Sequence, residues 1–232
     1  MLIVIAVVAV VVLLILWALT VQRRRIPMHL DFTAAILNVA LLWLLTTPHE
    51  FAHAWVATRL GDDTPRLQGR LTLNPLAHVD WLGTTILPAL TSLFGGGLLG
   101  WGKPVYSNPA KLRWGLNGLA LVAMAGPASN VVFAVILAVV ARATIGFAPA
   151  LAQFAARGVN LSLYLAIFNM LPVPPLDGSK LLLAARIPMV IYNELARAGF
   201  LLLIVAVSVS DLGRWMSQWS YEGTARIFGL IR

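Results

Sequence analysis

The chain of 232 residues contains no cysteine. That excludes disulfides and thiolate zinc sites, and fixes no compartment. Charge is also scarce. Only 11% of the residues are Asp, Glu, Lys or Arg, against about 25% in a soluble domain, while 59% are hydrophobic. No polar stretch is long enough to fold as an independent soluble module of about 80 residues. The bulk of the protein is therefore expected in lipid. Acidic residues are the scarcer sign, nine against seventeen Lys and Arg, for a formal charge of +8. No basic patch is interleaved with aromatics, which argues against nucleic-acid binding. The basic residues are mostly scattered at segment ends instead, where positive-inside placement and lipid headgroups account for them.

What is present is a succession of apolar runs. Leu2 to Val21 is uncharged and long enough for one crossing. Its basic residues, Arg23, Arg24 and Arg25, follow the apolar core instead of preceding it, so it reads as a retained helix and not a cleaved signal. A second segment runs from Phe32 through Pro48 and ends near Thr58. The polar connection Arg59–Asp80 is expected to hold a short strand or extended piece before a turn at Asn74-Pro75. Trp81–Gly102 is uncharged but interrupted by Pro88 and Gly95–Gly97. Gly115–Val140 is a further span, continuing to about Ile145. Val159–Leu171 opens the next segment, which breaks at Pro172, Pro174 and Pro175 and resumes after Asp177-Gly178. Ile187–Ser210 is the last candidate span, weakened by Glu194 and Arg197. In the tail, Trp215 and Trp219 with Arg214 suit an interfacial helix.

These runs predict an all-α polytopic membrane protein. It has about five membrane-spanning helices, a re-entrant or surface element and a C-terminal interfacial helix. Residues 1–28 form an N-terminal helix with its basic connection, 29–186 a membrane core, and 187–232 the last span and the tail.

One apolar run carries ionisable groups. His49-Glu50-Phe51-Ala52-His53 is an HExxH motif inside a segment that reads as a membrane helix, and ionisable groups in hydrocarbon are costly enough to imply function. Histidines at i and i+4 share one helical face, so both imidazoles can reach one Zn2+, with Glu50 beside them as a base for water. A catalytic zinc takes three protein ligands and keeps a fourth position open. The third ligand must come from elsewhere, and Asp31, Asp177 and His78 are the candidates. Asp177 is the best placed. It follows three prolines in Asn169-Met170-Leu171-Pro172-Val173-Pro174-Pro175-Leu176-Asp177-Gly178, and irregular backbone at membrane depth is tolerated only where it is buried in protein or lines a cavity. His78 reads as a polar-loop histidine, while His29 and Asp31 fall at the membrane surface without a role.

HEFAH, the NMLPVPPLDG stretch and the GPASN sequence at 126–130 between them resemble the site-2 protease family of intramembrane zinc metalloproteases. Gly69–Asp80 (GRLTLNPLAHVD) and Gly100–Val105 (GWGKPV) resemble its compact members without PDZ domains. The likeness covers roughly residues 45 to 186, with one departure at Trp81, where compact members often carry proline. It implies His49, His53 and Asp177 as zinc ligands and Glu50 as general base. It also points to Asn169 as a group that orients the substrate backbone or stabilises the oxyanion, and to Asn130 as structural or substrate-facing. The implied reaction is peptide-bond hydrolysis in or near transmembrane segments of membrane-protein substrates. The implied home is a prokaryotic cell membrane, with the zinc toward the cytosol.

HEFAH and Asp177 both lie in the C-terminal parts of their segments. They meet only if those segments run in the same direction, with an odd number of crossings between them. Gly115–Ile145 is one crossing, so Trp81–Gly102 is predicted to dip in and return or to lie along the surface. Pro88 and the glycine run give it places to turn. A zinc transporter or a non-catalytic scaffold would share some of these features, but neither needs a glutamate between the histidines.

Overall fold

The computed structural model describes residues 30–93, 100–209 and 211–231. Among them every regular element is helical. In chain order these are α1 (Phe32–Arg59), α2 (Thr64–Leu67), a 3-10 turn (Pro75–Ala77), a π-helical turn (Trp81–Ile86) running into α3 (Leu87–Leu93), α4 (Leu116–Thr144), α5 (Pro149–Asn169), α6 (Gly178–Ala184), α7 (Met189–Val209) and α8 (Leu212–Leu230). Three of them, α1, α4 and α5, are long and apolar enough to cross a membrane. The opening run Leu2–Val21 and the Gly95–Gly97 run lie outside the described residues.

The ends of α1 follow from local chemistry. Asp31 Oδ1 accepts from Ala34 N at 2.8 Å, capping the N-terminus. At the other end Gly61, with φ +101, turns the chain where a side chain would be strained. α5 begins at Pro149, ten residues before the predicted opening at Val159. Gln153 and Arg157 break the apolar run in sequence, yet both face outward while Ala152, Ala155, Gly158 and Val159 are buried. Between Arg70 and Asn74 there is no strand. Asn74 is extended and its Oδ1 accepts from Leu76 N, which starts the 3-10 turn.

α1, α4 and α5 form the core. Leu45, Ala134, Leu137, Ala138, Ala141, Ala155, Val159 and Leu163 pack in one cluster, and the alanines let the helix backbones approach closely. A Cβ on Gly158 would stand 2.8 Å from Leu137 Cδ1 and 3.1 Å from Leu41 Cδ2. The direction of the helices is visible in their pairings. His53 meets Val122, Leu45 packs in the cluster of Ala134 and Leu137, and Ser162 Oγ donates to Asn130 O at 2.7 Å. α4 is thus antiparallel to both α1 and α5, and the latter two run the same way, as the meeting of the two motifs requires.

The π-helical turn and α3 run back along α1. Trp43 Nε1 donates to Thr85 Oγ1 at 3.1 Å and Asn38 Nδ2 to Ser92 Oγ at 3.0 Å. The chain then returns to its start, where Trp101 N donates to Gly83 O at 3.0 Å and Lys103 N to His78 O at 2.9 Å. Beyond it, Arg113 N donates to Leu60 O at 2.7 Å and Asn108 N to Asp62 Oδ2 at 2.6 Å. Residues 60–64 and 108–113 therefore lie together at one end of the bundle. The tail helix α8 packs lengthwise along α5. Asn160 Nδ2 donates to Ser220 Oγ at 3.2 Å, Ile227 and Phe228 lie against the core cluster, and Trp215 and Trp219 face outward.

Candidate metal centre

The last three turns of α1 present His49 and His53 toward α4 and toward the break between α5 and α6. His49 Nε2 lies 3.1 Å and His53 Nε2 3.0 Å from Asp177 Oδ2, and the two nitrogens are 3.1 Å apart. All three residues are buried, and their ligand atoms could hold one metal ion. A tetrahedral zinc with bonds of about 2.0–2.1 Å separates its ligand atoms by about 3.3 Å. The cluster would need to open by only a few tenths of an ångström, so these donors fit zinc. The tautomer fits as well. His53 Nδ1 lies 2.7 Å from Val122 O, so its Nδ1–H donates outward and the Nε2 lone pair points inward.

Asp177 reaches the histidines because the chain doubles back after α5. Met170 and Leu171 close the end of the helix, and the prolines lead into α6. Gly178 lies against that turn, and a Cβ there would stand 2.6 Å from Leu171 O. Only glycine admits so close a return. The second carboxylate oxygen, Asp177 Oδ1, accepts from Lys180 Nζ at 2.8 Å.

Glu50 is buried beside the cluster, and its Oε2 accepts from Val105 N at 3.1 Å. Asn130 is buried in α4, its side-chain nitrogen and oxygen both without a partner among the described residues. Asn169 Nδ2 donates to Leu165 O in its own helix at 2.9 Å. The structure thus gathers His49, Glu50, His53 and Asp177, while neither asparagine hydrogen-bonds to any of them. Asp31 is spent on capping the far end of α1. His78 is no ligand, but it is fully buried instead of lying in an open loop, its Nε2 2.7 Å from Thr72 O. Burial pushes its pKa below the ordinary histidine value, against the Thr72 hydrogen bond and the Glu50 charge, with Arg70 adding to the lowering.

Three contributors escaped the sequence reading. Gly126, in GPASN, faces both imidazoles, and a Cβ there would stand 2.6 Å from His49 Nε2. The glycine of that motif thus leaves the space in which the two imidazoles sit. Lys180 carried a readable signal, an acid and a base at i and i+3 in the first turn of a helix. Val105 carried none, since it acts through its backbone.

No family model matches the chain and no solved structure matches it significantly. Curated relatives do match. YwhC of Bacillus subtilis is 36% identical over 181 residues, which is 73% of this chain and 78% of the relative. Rip2 of Mycolicibacterium smegmatis is 34% identical over 201 residues, 83% of this chain and 74% of the relative. Rip2 of Mycobacterium tuberculosis is 34% identical over 157 residues, 64% of this chain and 57% of the relative. All are named as zinc metalloproteases. A zinc-fitting His-His-Asp cluster on apolar helices, with likeness of this extent, leads to one conclusion: the chain belongs to the site-2 protease family of zinc metalloproteases.

Proposed function

We propose that this zinc-dependent protease hydrolyses peptide bonds in or near the transmembrane segments of membrane-protein substrates. The observation that carries the reading is the position of the cluster. His49, Glu50 and His53 are buried within a membrane-length apolar helix, and Asp177 is buried against them. Such groups at such a place mark a site for chemistry inside the bilayer.

His49, His53 and Asp177 would hold the zinc. When bound, it supplies Lewis acidity at the scissile carbonyl and a lowered pKa for the attacking water. Glu50 takes the proton of that water and delivers it to the leaving amine. Asn169 has one amide N–H beyond its bond to Leu165 with which to hold substrate backbone or the developing oxyanion. Asn130 has its whole amide to offer. A helical substrate engages its carbonyls in its own hydrogen bonds, so it must unwind before attack, and helix-breaking residues should speed cleavage.

The proposed setting is a prokaryotic cell membrane. Arg59, Arg66, Arg70, Lys103, Lys111, Arg113, Lys180 and Arg186 fall in the segments gathered at the metal end, and the positive-inside tendency turns that end to the cytosol. The five crossings would then comprise Leu2–Val21, α1, α4, α5 and α7. Purified protein incubated with a panel of single-span membrane substrates, with the cut bonds mapped by mass spectrometry, tests the proposal. Cuts within or at the edge of the spans are expected. Cuts confined to soluble regions would overturn it.

A further inference from the structure

The Gly69–Asp80 motif supplies no metal ligand, yet Arg70 and His78 within it are buried. Their hydrogen bonds all serve one purpose. Arg70 donates from Nη1 to Ala77 O and from Nη2 to Pro104 O, the latter at 3.2 Å. His78 ties its ring to Thr72 O, and its carbonyl accepts from Lys103 N at 2.9 Å. Asp80 Oδ1 accepts from Gly83 N at 2.7 Å, capping the π-helical turn, and within that turn Thr84 Oγ1 donates to Trp101 O at 2.8 Å. Every one of these bonds ends in the motif, in the turn it caps, or on residues 101–104.

Those residues cross the catalytic carboxylate. Val105 N donates to Glu50 Oε2, and a Cβ on Gly102 would stand 3.3 Å from Glu50 Oε1. Both oxygens of Glu50 thus face one strap, residues 100–105, and the strap is anchored on the motif before and after Gly102. A buried carboxylate with one backbone donor has its orientation set by that donor, because a charge-assisted hydrogen bond is the strong kind.

We propose that the Gly69–Asp80 motif is a bracket that holds the strap across Glu50, so that the Val105 N–H fixes the carboxylate for proton transfer. Arg70 and His78 are positioning residues in this arrangement. The inference rests on the reading of Glu50 as the base.

The direct test is Val105→Pro, which removes the N–H and sets the ring Cδ in its place, with Tyr106→Pro as the control for an added proline. The N–H of Tyr106 makes none of these bonds. Steady-state cleavage of a single-span substrate and zinc affinity by chelator competition are measured on each variant. Val105→Pro should lower kcat roughly ten- to a hundred-fold, the worth of one hydrogen bond to a charged group, with KM and zinc affinity unchanged. Tyr106→Pro should leave kcat unchanged. Arg70→Ala and His78→Ala should lower kcat in the same way. His78→Gln, whose amide can reach Thr72 O, should restore most of the loss. Wild-type kcat in Val105→Pro would overturn the proposal, as would a raised kcat, which would make the strap an inhibitory latch. Zinc loss in Val105→Pro or Arg70→Ala would also overturn it, assigning the bracket to the metal site instead. Equal cleavage by wild type and Glu50→Gln would instead sink the assignment of Glu50 on which the proposal rests.

Discussion

Along the C-terminal half of α4, Ala134, Ala138 and Ala141 bring the helix onto α5 through apolar contact. Two turns before Ala134, Gly126 brings the same helix onto the two imidazoles of α1. Both are close approaches made possible by small residues. In the seam the gain is dispersion and burial, spread over many atoms. At the metal end the gain is a fixed set of donor atoms, two of them held by a further group, His53 by Val122 O and Asp177 by Lys180, with Glu50 beside them held by Val105. A change in the seam should therefore cost stability and spare zinc, whereas a change at the metal end should do the reverse.

The largest separation of the two regions is expected from Asp177→Ala. Cleavage should fall below detection and zinc content should drop sharply, while the helical circular-dichroism signal stays. Gly126→Ala comes next. Its Cβ must displace an imidazole, so zinc affinity in a chelator titration should fall by about ten- to a hundred-fold or more. Leu137→Ala breaks the seam instead. It should lower stability in detergent by about 2–4 kcal/mol through transfer and cavity effects, with zinc affinity unchanged. Equal zinc loss in Leu137→Ala and Gly126→Ala would erase the contrast.

The smallest effect concerns the polar end alone. Burial acts to raise the Asp62 pKa, but hydrogen bonds from Thr64 and Asn108 and the charge of Lys111 outweigh it and leave the carboxyl below its ordinary range. Its contribution to stability is then full above the unfolded value of 3.8 and is lost as pH falls from there through the folded value. His78, held neutral, acts in the same sense at higher pH, since the unfolded chain takes up the proton first as pH falls below 6.5. Thermal midpoints measured between pH 8 and 3 should fall in two steps. Asp62→Asn should shrink the lower step and His78→Gln the upper one.

How far the sequence reached follows the same division. HEFAH and Asp177 were legible because metal chemistry needs particular side chains, and their shared depth required α1 and α5 to run in the same direction. The return of the chain after Trp81 followed from that requirement, and the Trp101–Gly83 hydrogen bond realises it. The start of α5 was misplaced because Gln153 and Arg157 interrupt hydropathy without interrupting the helix. Of the strand or extended piece expected before Asn74, no strand forms, and the Thr72 carbonyl there is taken up by the His78 ring. Val105 and Gly126 could not be found, since one acts through its N–H and the other through the side chain it lacks.

The central claim is that buried Glu50 performs proton transfer at a zinc held by His49, His53 and Asp177. The measurement that meets it most directly compares wild-type and Glu50→Gln protein on a single-span substrate, with zinc quantified in both. Glutamine keeps the shape and an acceptor oxygen for the Val105 N–H but cannot take a proton. The expected result is equal zinc in both proteins, with cleavage by the wild type alone. Cleavage by zinc-loaded Glu50→Gln at the wild-type rate would contradict the claim.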